Sequence, residues 1–241
     1  MKDTSGIRLD RLGIDPADSD HDWRDILTGP KRDLKSRKQE LVRNAILDAA
    51  IALFEKKGFD KTDVAEIAEG AGISKRSFFR YFATKDDLLA RSVMEYGAVL
   101  VAAIRSAPRQ STDLEVIHQT LLAGVHYNEQ HQARARQLIA ISTSHPTARQ
   151  AYLSRKHVVE DAIAEAFASR ASARRNDLRV RLLAGITLAM MNATIGAWFL
   201  GEEKTLEAAA KHVEAELQKI TLSTAPVNSK KRDRGKEIKQ R

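Results

Sequence analysis

The chain has 241 residues, 43% of them hydrophobic and 30% charged, with no cysteine and a formal net charge of +8. This is enough apolar material for one large domain, or a small one joined to a medium one, while the lack of cysteine excludes disulfides, thiolate metal sites and thiol nucleophiles. The positive balance points to an anionic partner, and it is unevenly spread: residues 1–30 carry four basic and seven acidic side chains, residues 31–91 fourteen and ten, and residues 222–241 seven and two.

In chain order, residues 1–34 read as a disordered extension, with Gly6, Gly13, Pro16, Gly29 and Pro30 set among aspartates. Trp23, Ile26 and Leu27 are its candidates for docking. The stretch lacks the apolar run of a secretory signal, which predicts a cytoplasmic protein. The apolar period then predicts a helix from about 36 to 57, with Leu41, Ala45, Ile46, Ala49, Leu53 and Phe54 on one face and Gly58 ending it. Asp63 is placed to cap a second, short helix, with Glu66 as its capping-box partner. Gly70-Ala71-Gly72 breaks the chain, and Ser74 caps a third helix. Thr84, with Asp86 and Asp87 in the first turn, starts a longer helix to Ser106, which Pro108 stops. Five more helices are predicted over 111–130, 133–144, 146–169, 174–200 and 203–221. Alternating apolar runs and Asn-Gly hairpins are absent. The fold class expected is all-α: a three-helix, helix-turn-helix domain over 35–83, a larger helical domain over 84–222, and a basic disordered tail over 223–241 that could slide along phosphates.

The third helix carries the chemistry. At 3.6-residue spacing Lys75, Arg76, Phe79 and Arg80 share one face, and Phe78 and Phe82 share the other, which must be buried. A basic helix held by a small helical scaffold is the geometry that enters a DNA major groove. Lys75, Arg76 and Ser77 lie in its first turn, where base edges are read. Arg76 could pair with guanine O6 and N7, and Phe79 can offer only apolar contact to a thymine methyl. Arg80, Tyr81 and Lys85 lie further out and suit phosphates, which position the protein without reading sequence.

Residues 43–89 closely resemble the DNA-binding domain of the tetracycline-repressor (TetR) family of bacterial regulators. The resemblance lies in Ile46-Leu47, Ala49-Ala50, Leu53-Phe54, Gly58-Phe59, Thr62, Ile67-Ala68, Ala71-Gly72-Ile73-Ser74, Tyr81-Phe82, Lys85 and Leu88-Leu89. It implies base contacts from Lys75, Arg76, Ser77 and Phe79, and phosphate contacts from Thr62, Arg80, Tyr81 and Lys85. Two departures bear on the target sequence: Asp63 stands where the family usually has a second hydroxyl residue, and Phe79 where it usually has tyrosine.

Residues 182–200 form an almost uncharged stretch, long enough by itself to span a membrane. Thr187, Asn192 and Thr194 interrupt it, and the chain offers no partner span, so a buried core helix with dimer contacts is expected. The helix at 203–221 lines up Leu206, Ala209, Ala210, Val213, Leu217 and Ile220. Together, about 174–200 and 203–221 could supply half of an intermolecular four-helix bundle, giving a homodimer that reads a palindromic operator. The region Arg136–Ala140 through Arg155, then Glu160–Arg170 and Leu182–Ala184, resembles an acyl-CoA-responsive branch of the family. That resemblance implies a small apolar or acyl-type effector, such as a fatty acyl-CoA. Tyr96, His118, His126, Tyr127, Met190, Met191, Asn192 and Trp198 are the candidate pocket residues, being polar or polarizable groups on mostly apolar helices.

Enzyme motifs are absent: no phosphate-cradling glycine loop, G-x-S-x-G or H-E-x-x-H occurs. His157 and Asp161 are spaced for a shared metal but lie among solvated charges, and His118 and His126 sit about 12 Å apart along a helix, too far for one ion. No catalytic residue, metal or cofactor is expected. The reading is a ligand-responsive, sequence-specific transcriptional regulator, a repressor by family habit, in which the helix from Thr84 carries the movement. An activator of the same fold and a weakly specific structural DNA-binding protein are the alternatives.

Overall fold

The computed structural model describes residues 34–222, and the expectations for the terminal extension and the basic tail lie outside them. The described residues form ten α-helices and no strand: α1 (Leu34–Lys57), α2 (Val64–Gly70), α3 (Lys75–Tyr81), α4 (Asp86–Ser106), α5 (Asp113–Gln130), α6 (Gln132–Ser144), α7 (Pro146–Leu153), α8 (Lys156–Ala171), α9 (Leu178–Phe199) and α10 (Leu206–Leu222). Their boundaries follow local chemistry. Gly58 leaves α1 with φ +89°, a conformation that favours glycine. Asp63 accepts from the Ala65 N–H at 2.6 Å while Glu66 accepts from the Asp63 N–H at 2.9 Å, completing the expected capping box. Ser74 Oγ accepts from the Ser77 N–H. Thr84 and Asp87 exchange backbone-to-side-chain bonds at the start of α4, and Thr112 with Glu115 does the same for α5.

Two cores organise the helices. The first joins Ile46, Leu47, Ala50, Ile51 and Phe54 of α1 to Ile67 and Ala68, Phe78, Phe82, Leu88 and Leu89. It also takes in Leu138 and Ile141 of α6 and Ala148 and Ala151 of α7, so the helix-turn-helix unit shares its interior with helices that follow much later in the chain. The second is built from α4, α5, α8, α9 and α10, with Met94, Leu100, Ile104, Leu121, Ile163, Phe167, Met191 and Trp198 among its members. Gly124 lets α5 approach closely: a Cβ there would lie 2.5 Å from Met191 Cε and 2.7 Å from the Tyr96 hydroxyl.

Two expectations are corrected. The single helix over 146–169 is two. Ser154 turns the chain, donating from both its N–H and its hydroxyl to Ala151 O, and α7 then buries Ala148 and Ala151 in the first core while α8 buries Val159, Ile163 and Phe167 in the second. One straight helix could not serve both. On α1, Leu41 is 71% exposed and Ala45 exposed, whereas Leu47 and Ile51 are buried. Packing of α6 against α1 turns the buried face toward them.

Helix α9 is long and apolar enough to cross a membrane by composition, and a third of its apolar window is buried within the chain. Val180, Ala184, Thr187, Met191, Thr194 and Trp198 face the core. The opposite side leaves Leu178, Leu182, Ala189, Ala193 and Leu200 exposed.

Candidate nucleic-acid interface

Helix α3 divides as its spacing requires. Phe78 and Phe82 are buried, their ring centroids 5.8 Å apart, and anchor the helix on the first core. Lys75, Arg76 and Arg80 are exposed, and Phe79 is 47% exposed with its ring edge-on to Phe78. The helix carries no carboxylate, so its outer face presents three cations and one aromatic ring with no charge to neutralise them locally. Ser77 is half-buried, its hydroxyl 3.0 Å from that of Ser74. Tyr81 is half-buried beneath the Arg80 guanidinium, which lies 5.1 Å from its ring centroid.

Two expected phosphate ligands are used differently. Thr62 is buried, and its hydroxyl donates to Gly58 O at 2.8 Å. The Lys85 ammonium donates to Phe59 O at 2.8 Å, Asp60 O at 3.2 Å and Thr62 O at 3.2 Å, and lies 4.7 Å from the Phe59 ring centroid. An ammonium has three donors, so none remains for a phosphate. Lys85 is instead a clamp that holds the α1–α2 loop on the start of α4.

A cavity of about 60 Å3 lies between α1 and the helices after the DNA-binding unit, lined by Leu47 of α1, Glu95 and Tyr96 of α4, Tyr127, Asn128 and His131 at the end of α5, Arg134 and Leu138 of α6, and Tyr152 of α7. Tyr96 and Tyr127 were legible as pocket candidates; the other six are elsewhere. His118 and Glu214 pair across α5 and α10, His126 bonds Gln130, and Asn192 is exposed. Met190 and Met191 are core residues, and Trp198 is buried with the Arg136 guanidinium 4.0 Å from its ring centroid. Glu95, Asn128, His131, Arg134 and Tyr152 were missed because they come from four helices and share no period. Glu95, an acid set among Val93, Met94 and Tyr96 in the middle of α4, was their one visible signal.

Burial governs the ionisation of these groups. It pushes the Glu95 carboxyl up against the opposing pull of Arg91, and it pushes the Tyr127 phenol up to about 12, with Glu95 adding to the shift. The Tyr96 phenol is raised as well, again by burial. The neighbouring Asn128 side chain opposes that shift by hydrogen bonding, and it also donates an amide N–H to Gly124 O. Among the described residues no group of three or more His, Cys, Asp or Glu side chains could hold a metal ion.

A capped, carboxylate-free basic helix on a three-helix scaffold, backed by further helices that share its core, defines a helix-turn-helix DNA-binding protein. Comparison with known proteins agrees. Residues 46–91 match the family described as bacterial regulatory proteins, tetR family, and residues 111–220 match the MftR C-terminal domain. The HTH-type transcriptional regulator TcmR of Streptomyces glaucescens is 25% identical over 78% of this chain and 86% of its own length. The putative mycofactocin biosynthesis transcriptional regulator MftR of Mycobacterium tuberculosis is 23% identical over 75% of this chain and 91% of its own. A putative TetR-family regulator from Syntrophomonas wolfei has the same fold, with a TM-score of 0.58 at 17% identity over 78% of this chain and 99% of that one. The protein belongs to the TetR family, whose members are transcriptional regulators rather than enzymes.

Proposed function

We propose that this protein is a cytoplasmic, homodimeric repressor that binds a palindromic operator and is released by a small apolar or acyl-type effector. The outer face of α3 carries the reading: three exposed cations and Phe79 on a helix without a carboxylate. Lys75, Arg76, Ser77 and Phe79 read bases, and Arg80 and Tyr81 meet phosphates. Dimerisation through α9 and α10 is supported by the apolar side of α9 that the described residues leave uncovered, with Leu178, Leu182 and Leu200 exposed. An isologous contact there would bring two α3 helices to one duplex. Repression by release is a shift between two spacings of those helices, only one of which fits successive major grooves. The test is capture of sheared genomic DNA from the source by the purified full-length protein, followed by sequencing. One or a few enriched sites bearing a palindrome are expected. Uniform recovery would mean a weakly specific DNA-binding protein, and would overturn the proposal.

A further inference from the structure

The two ionised groups in the wall of the cavity both hold α1, the helix that carries the DNA-binding unit. Arg134 donates from Nη1 to Asn44 Oδ1 at 3.0 Å and from Nη2 to Asp48 Oδ1 at 2.6 Å. Glu95 accepts from Arg91 Nε at 2.7 Å, and Arg91 Nη2 continues to Glu40 at 3.1 Å. A cavity of about 60 Å3 is far below the roughly 300–1,000 Å3 of a ligand-holding pocket, so an effector must displace part of the wall.

The wall segments differ in what displacement costs. Leu47 and Leu138 belong to the first core. Glu95 is locked into the Arg91–Glu40 chain, in which the Arg91 side chain is only 14% exposed. Arg134, by contrast, pairs with an Asp48 side chain that is 62% exposed, and losing an exposed ion pair costs about 1 kcal/mol at most. A guanidinium also binds a carboxylate through two parallel N–H bonds, so exchanging Asp48 for a ligand carboxylate is close to neutral. A cationic ligand would have to open the Arg91 chain and sit beside Arg134. A neutral one would gain no hold on α1.

We infer that the effector is an apolar carboxylic acid whose carboxylate takes Arg134 from Asp48 and Asn44, uncoupling α6 from α1 and with it the DNA-binding unit. This rests on the reading of the protein as an effector-released repressor. Helix α6 thereby joins α4 as an arm of the transmission: beside Arg134, Gln137 donates to Glu55 of α1 at 3.1 Å.

The test uses decanoate, 1-decanol and decylamine, each titrated against the full-length protein by thermal shift and against its complex with the captured operator by fluorescence anisotropy. Decanoate is expected to stabilise the protein and weaken operator binding by up to about fivefold, the share carried by the Arg134–Asp48 pair, while the alcohol and the amine do neither at equal concentration. Arg134→Asp and Asp48→Arg singly are expected to weaken operator binding by up to about fivefold. Combined, they recover most of that affinity and respond to decylamine instead of decanoate. Asp48→Asn, at an exposed position, gives the same loss should either charge reversal fail to fold. An alcohol as effective as the acid, or a charge-swapped protein that still responds to decanoate, overturns the inference. Stabilisation by decanoate in a protein that captures no specific DNA would sink the repressor reading and leave the acid site standing.

Discussion

Replacing Lys85 with methionine separates the clamp from a phosphate contact. Methionine keeps the apolar stem against Phe59 and removes the ammonium, leaving Phe59 O, Asp60 O and Thr62 O without their shared donor. The Asp60 contact is exposed and water can replace it, but the Phe59 and Thr62 contacts are partly buried. Hydrogen bonds from a charged donor contribute about 1.5–3 kcal/mol each when desolvated. Two partly buried ones, discounted for residual solvent, give about 2–3 kcal/mol. For a chain of this size that lowers the midpoint of thermal unfolding by roughly 5–10 °C, which circular dichroism would read directly. Operator affinity should fall too, because the α1–α2 loop sets the position of α2 beneath α3. The salt dependence of binding should nevertheless keep its slope, since no phosphate contact is lost. An unchanged unfolding midpoint, together with a log–log salt slope smaller by about 1.8 for a dimer that loses one phosphate contact from each protomer, would show that Lys85 meets a phosphate and would refute the clamp.

Four other outcomes are expected. Arg76→Ala relaxes preference at one base position by about 1–3 kcal/mol, read by selection from randomised operators. Arg170 donates to Ile104 O, Ala107 O and Pro108 O at the end of α4, so Arg170→Met should cost about 2–3 kcal/mol in urea unfolding with DNA specificity retained. Leu182, 60% exposed on α9, becomes a charge in the proposed dimer interface when changed to glutamate, and sedimentation should then show monomer at micromolar concentration. Glu95 is raised above the ordinary glutamate value of 4.5 by burial. A raised folded value means stability that is present below about pH 4.5 and lost as pH climbs through the folded value. Glu95→Gln should therefore be more stable than the parent at pH 7.5, with the gap narrowing as pH falls toward 4.5; a gap that is constant across the titration would remove burial as the cause.

Much of the DNA-binding unit was legible because its determinants are local. The cap at Asp63 needs only Glu66 three residues on, and the two faces of α3 follow from Phe78 and Phe82 against Arg76 and Phe79 at helical spacing. The ion pairs and clamps were not legible. Nothing around Lys85 distinguishes an ammonium aimed at a phosphate from one folded back on three carbonyls 23 to 26 residues earlier. Leu47 and Ile51 stand on one helical stripe with Ala50 and Phe54, but α1 also offers Leu41, Ala45, Ala49 and Leu53 on a neighbouring stripe, and only the packing of α6 against α1 decides between them.

The sequence by itself determined the all-helical class, the limits of most helices, the cap chemistry and the basic face of α3, since each depends on residues within one or two turns of one another. Only the tertiary structure decided that the stretch from Pro146 to Ala171 breaks in two, that α6 and α7 share the interior of the DNA-binding unit, and that Glu95 and Arg134 enclose one cavity while holding one helix. These depend on segments brought together from 40 to 100 residues apart. Packing choices of that range leave no period in a single sequence, because each helix shows its own apolar face and not which neighbour will cover it.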